Sequence, residues 1–183
     1  MTARFLRPLL VISAALLIPR PARAEMLSVS VAARASRDVG TVFVSGTESG
    51  PGGGIGVRAS FGDDDVRWEP ELSIDVAGYS GEGDGDPILQ AAILVSRRAF
   101  FFRDDAGARP WWSLGAGVGG LGIAGAVAAF PIRAALGVSI APDSDVGLEA
   151  SVFNRFTLTS RRGDPSTEYI NSTGVEIAVR FGH

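Results

Sequence analysis

The chain has 183 residues, one domain's worth, and carries 17 basic residues against 20 acidic ones, with no cysteine and a single histidine. The missing thiols exclude a disulfide scaffold and a thiolate metal site, and the acidic balance argues against a nucleic-acid binder. The one histidine, His183, is the last residue, so chemistry that depends on an imidazole has little to work with.

Residues 1–24 read as a secretory signal. Arg4 and Arg7 form the basic start, Pro8 to Ile18 the apolar run, and Ala22-Arg23-Ala24 the small-residue cleavage box, which places the cut before Glu25. The apolar run is too short to span a bilayer as a helix. Its removal takes away four arginines and no acid, leaving a mature domain of residues 25–183 with 13 basic against 20 acidic residues and a net charge of −7.

From Leu27 onward apolar residues fall at every second position: Leu27, Val29, Val31, Ala33 and Ala35, with Ser28, Ser30 and Arg34 between them. That is the period of a strand with two unlike faces. The alternation returns in Ile55 to Phe61 around Arg58 and Ser60, and in Trp68 to Val76 against Arg67, Glu69, Glu71, Ser73 and Asp75. A fourth segment, Ile88 to Phe101, is more uniformly apolar, and the adjacent Arg97 and Arg98 leave its facing open. Trp112 to Val118, Ile132 to Ile140, Val146 to Val152 and Thr173 to Phe181 complete eight predicted strands.

The connections Arg37–Gly53, Ser80–Asp86, Gly120–Ala129 and Thr157–Thr167 are long, whereas Gly62–Asp65 and Ala141–Asp145 are tight; only Phe102–Pro110 blurs the rule. Strands of this length joined by long loops at one end and short ones at the other are what a transmembrane barrel requires, because only closure removes unpaired strand edges from hydrocarbon. The expected fold is all-β: an eight-stranded antiparallel up-and-down transmembrane β-barrel after a cleaved signal peptide.

Alternation does not say which face is wet. The polar face is mostly Gly, Ser and Ala with isolated charges, as the narrow interior of a small barrel demands. On this register Arg34, Arg58, Arg67, Arg133 and Arg180 meet Glu69, Glu71, Asp75, Glu149 and Glu176 in the lumen, five against five, and charges withdrawn from water are tolerable when paired. Two features resist. Pro70 forfeits a ladder hydrogen bond and predicts a bulge. Trp111 to Ile132 lacks charge and contains Gly115 and Gly119 at the spacing of a close-packed membrane helix, although its glycines keep period two.

Taken as a set, Gly53-Gly54-Ile55-Gly56-Val57-Arg58, Trp68-Glu69-Pro70-Glu71-Leu72, Arg109-Pro110-Trp111-Trp112 with Gly115-Ala116-Gly117-Val118-Gly119, and the closing Gly174 to Phe181 resemble the small outer-membrane β-barrels of the opacity-protein and OmpA/OmpX-like type. The resemblance implies outer-membrane lipid around the barrel, barrel-assembly machinery during insertion, a monomer, and loops open to a surface partner. Members of that family usually end on the aromatic residue that the machinery reads, whereas Gly182 and His183 follow Phe181 here.

Catalytic signals are sparse. Barrel enzymes that this chain would be expected to resemble, the lipid A deacylases and palmitoyl transferases, use His and Ser near the outer rim, while His183 falls at the end that carries both termini. Glu69 and Glu71 pair more simply with lumen arginines than as an acid and base. Gly81 to Asp86 and Asp63-Asp64-Asp65 offer oxygen ligands to a hard cation, but turns favour Gly and Asp without a metal. Gly50 to Gly54 lacks the helix and Lys of a phosphate cradle. Phe100-Phe101-Phe102 with Trp111-Trp112 fit an interfacial girdle. No cofactor and no metal are expected.

These observations favour a non-enzymatic outer-membrane barrel with surface-exposed loops. Two alternatives remain open from the residues: a soluble periplasmic barrel with an apolar ligand inside, which inverts the facing, and a narrow pore or passage for small or apolar solutes, motivated by the apolar connection Gly120–Ala129.

Overall fold

A computed structural model describes residues 25–42, 49–62, 68–81, 88–102, 107–122, 126–141, 145–160 and 167–182. The expected signal segment, Arg67, Asp63 to Asp65, residues 82–86 and His183 lie outside them. Eight strands, β1 (Glu25–Val42), β2 (Ser49–Gly62), β3 (Trp68–Gly81), β4 (Ile88–Phe100), β5 (Ala108–Gly122), β6 (Ala126–Ile140), β7 (Val146–Ser160) and β8 (Thr167–Phe181), pair antiparallel with their neighbours in sequence, and β8 closes on β1.

Closure is staggered. The paired row that starts at Val29 passes through Ala59, Leu72, Val95, Ala116, Ile132, Phe156 and Asn171 and returns to β1 at Gly40, eleven positions farther along. Each row therefore climbs from the end that holds the chain termini toward the opposite end, as the tilt of a barrel requires. The ladder is irregular between Met26 and Ser28, Asp38 and Gly40, and Ser49 and Gly52.

The strands are longer than polarity alone predicts. Arg37 to Val42 pair with β8 and Pro51 to Gly53 with β1, so most of the expected Arg37–Gly53 connection is ladder. Gly119 to Gly122 likewise pair with Ala126 to Ala129, which turns the expected apolar loop into the arms of a hairpin and removes the motive for a segment folded over the barrel mouth. Trp111 to Ile132 is thus two strands and not a helix. Pro70 needs no bulge: its β4 register runs unbroken through Arg97, and the β2 ladder ends at Glu71, opposite Ser60, so the missing N–H falls beyond it.

Along each strand inward and outward residues alternate. Val57, Ile74, Ile93, Leu114, Leu136, Leu148 and Val175 are exposed on the outer wall, whereas Arg58, Ser73, Leu94, Ser113, Ala135, Glu149 and Glu176 are buried inside. β4 settles the same way, with Arg98 inward and Arg97 in the outer wall. Inside, the side chains stack in layers. Toward the end remote from the termini Tyr79, Ile88, Leu121 and Ile170 form an apolar plug, and Trp111, Ala135 and Phe153 form a second cluster. Glycines on β5 allow β4 to approach closely: a Cβ on Gly117 would stand 2.0 Å from the Ile93 carbonyl oxygen, and one on Gly119 would stand 2.1 Å from that of Ala91.

The outer wall carries two aromatic rims. Trp68 and Trp112 meet edge to face, with centroids 5.1 Å apart, near the end that also carries Phe101, Phe102 and Phe181. Phe156 and Tyr169 lie 5.3 Å apart toward the other end. The expected girdle is corrected in one respect: Trp111 points inward and is 1% exposed, and Phe100 packs against its cluster, so only one of the two tryptophans lies on the rim.

Candidate functional site: the buried charge network

Below the apolar plug and around the Trp111–Phe153 cluster, seven of the eight strands each place at least one ionised side chain in the lumen. Arg98 donates to Glu71 at 2.8 Å and to Glu149 at 2.6 Å. Arg58 reaches Glu149 at 3.1 Å and Glu71 at 3.4 Å, and also donates to Glu176. Glu176 in turn accepts from Arg34, and from Arg133 at 3.0 Å. Arg34 bridges to Asp75 at 2.7 Å, and the other oxygen of Asp75 takes Arg155 at 2.5 Å. Ser96 and Ser139 donate to Glu71 and Glu149 at 2.9 Å and 3.2 Å. The result is one connected net of five arginines and four carboxylates, all buried.

β5 is the strand without a charge in this net, and its contribution is steric. Trp111 lies under Arg98, whose guanidinium carbon stands 4.4 Å from the ring centroid, while Phe153 takes Arg133 at 5.2 Å. A planar, weakly hydrated guanidinium suits such buried stacking better than a strongly hydrated ammonium does. Arg133 and Arg155 are directly opposite across the β6–β7 ladder, a repulsive arrangement that holds because each aims at a different carboxylate.

Of the ten residues expected in the lumen, Arg34, Arg58, Glu71, Asp75, Arg133, Glu149 and Glu176 are brought together in the net. Glu69 and Arg180 are half-buried at the end near the termini, outside these bonds, and Arg67 is outside the described residues. Two members were missed, Arg98 and Arg155. Arg155 carries the inward parity of Glu149 and Ser151, so extending the alternation past Val152 finds it.

Each carboxylate of the net is bonded to at least one arginine, while Arg34 Nη1 and the Nε atoms of Arg98, Arg133 and Arg155 have no hydrogen-bond partner among the described residues. Five cations interlocked with four anions suit rigid filling of the lumen. The interior is the reverse of what a soluble carrier of apolar ligands needs. Gly50 to Gly54 are strand residues of β2, which gives no phosphate-cradling loop.

No protein-family model matches the chain, and no curated protein does. Among solved structures, the chain is similar to the Neisserial surface protein A, at 16% identity and a TM-score of 0.58 over 88% of this chain and 100% of that one. It is also similar to the outer membrane enzyme PagL, at 14% identity and a TM-score of 0.52 over 85% of this chain and 99% of that one. The fold is therefore that of the small eight-stranded outer-membrane β-barrels. At these identities the likeness carries the fold and no activity.

Proposed function

We propose that the chain is a non-enzymatic integral protein of the outer membrane, exported by its N-terminal segment, inserted as a monomer, and supporting the envelope or surface contacts through the connections remote from its termini. One observation carries this reading: the exposed side of the wall is an apolar band between two aromatic rims. Phe181 and Tyr169 are twelve positions apart on β8, which at barrel tilt spans roughly 30 Å, the thickness of a bilayer's hydrocarbon core. In water such a surface would be a liability for association; in lipid it is the insertion surface.

The filled lumen supports a structural role over a conducting one, since eight strands leave little space once side chains enter. Cell fractionation tests the reading: recovery in the outer-membrane fraction, extractable only with detergent, is expected, and recovery in the soluble periplasm would overturn it.

A further inference from the structure

Besides Arg97, the described residues of the outer wall break the apolar pattern in a polar cluster. Asn154, Asn171 and Thr173 face outward, and the Asn154 amide nitrogen donates to Asn171 Oδ1 at 2.9 Å and to Thr173 Oγ1 at 3.0 Å. This leaves the Asn171 amide N–H groups, the Thr173 hydroxyl proton and the Asn154 amide oxygen without a partner among the described residues. Thr173 is four positions from Tyr169 on β8, roughly 10 Å inside the aromatic rim, where water offers no substitute.

The cluster closes one end of a shallow apolar groove of about 500 Å³ whose floor is Ala134, with Leu114, Leu136 and Val152 as walls. Groove and cluster share one paired row, Leu114, Ala134, Asn154 and Thr173, which ends on Arg37 of β1. The row climbs from the rim near the termini toward the opposite rim and covers roughly 19 Å over four strand spacings. Arg37 is exposed at its upper end, and no carboxylate faces it within the row.

We propose that this groove holds one anionic acylated lipid of the surrounding leaflet, an inference that rests on the membrane reading above. The acyl chain lies along Ala134, the carbonyl of its ester or amide linkage accepts from Asn171 and Thr173, and Arg37 reaches upward to the phosphate. Charge favours this occupant over a second copy: the row runs from Arg97, opposite Leu114, to Arg37 and contains no carboxylate, so the same face of another copy offers these cations no anion, whereas a lipid phosphate does.

Native mass spectrometry of the detergent-refolded chain, titrated with dioleoyl-phosphatidylglycerol or dioleoyl-phosphatidylcholine, tests the site. The wild type is expected to retain one phosphatidylglycerol in preference to phosphatidylcholine, and Arg37→Gln to lose that preference. Asn154→Leu with Thr173→Val should weaken both lipids by about tenfold, the equivalent of one or two hydrogen bonds. Should that double variant fail to fold, Arg37→Gln alone decides, since its side chain is outside the ladder bonds. Equal retention by wild type and variants overturns the site, as does a dimer that the double variant dissolves. Heat-shifted migration and the need for detergent are read on the same samples: a chain that stays in solution without detergent overturns the membrane reading, whereas one that inserts but binds both lipids alike overturns the lipid site only.

Discussion

Glu176 and Ile177 are neighbours in β8 and point to opposite sides of the wall: Glu176 is 3% exposed and bonded to Arg34, Arg58 and Arg133, whereas Ile177 is 64% exposed. One peptide bond separates the densest part of the charge network from the outer band. Substitutions at these two positions therefore act through different physics.

Ile177→Arg should destabilise the barrel by about 2 kcal/mol, since Ile177 is a third of the way from one aromatic rim to the other and the cost of a cation on a barrel's outer face rises toward mid-membrane. Urea unfolding in lipid vesicles measures it. The same change in a soluble barrel would be close to neutral.

Glu176→Gln should cost more, about 3 kcal/mol, because three buried guanidiniums lose the charge that compensates them. A double-mutant cycle with Arg133→Met isolates the pair: Arg133 makes its ion pair with Glu176, so the double variant should recover part of the loss. Strict additivity would mean that the pair contributes nothing.

The facing of seven strands was legible because an apolar wall and a small, polar lumen give period-two contrast. β4 was not, since Arg97 sits in the outer wall beside the inward Arg98 and both sides of the contrast read as charge. The contrast reverses in upper β7, where Phe153 turns inward under Arg133 while Asn154 faces out, and this hid Arg155. It vanishes in Gly120 to Ala129, because Leu121 and Ala129 belong to the interior apolar plug and both faces are then small or apolar. The sequence therefore predicts a loop where the structure has a hairpin. Closure and stagger lie in the pairing register, which no single strand's pattern contains.

Glycine in β5 is a requirement of close approach. Gly117→Ala sets a methyl group 2.0 Å from the Ile93 carbonyl oxygen and should cost about 3 kcal/mol or prevent folding, as overpacking does. Gly78→Ala, where the added carbon meets nothing within 4 Å, should stay within about 0.5 kcal/mol of wild type. Heat-modifiability on gels with urea titration ranks the two; equal behaviour would contradict the register of β4 and β5.

The lumen is closed by the arginine–carboxylate net and by the plug around Tyr79. Planar bilayers carrying the refolded chain should show no steady conductance above background. Stable open levels would require the net to part and would favour the passage reading.

A membrane barrel turns its apolar wall to lipid and its charges to the lumen, and the inside-out alternative does the reverse. The chain has no cysteine, so single-cysteine variants can be labelled without background. Leu136→Cys and Val57→Cys on the wall, and Ser73→Cys in the lumen, labelled with a small fluorophore before refolding into vesicles of brominated lipid, report the facing of three strands. Strong quenching at positions 136 and 57 with little at 73 is the predicted result; quenching at 73 with bright, water-accessible labels at 136 and 57 would contradict the account.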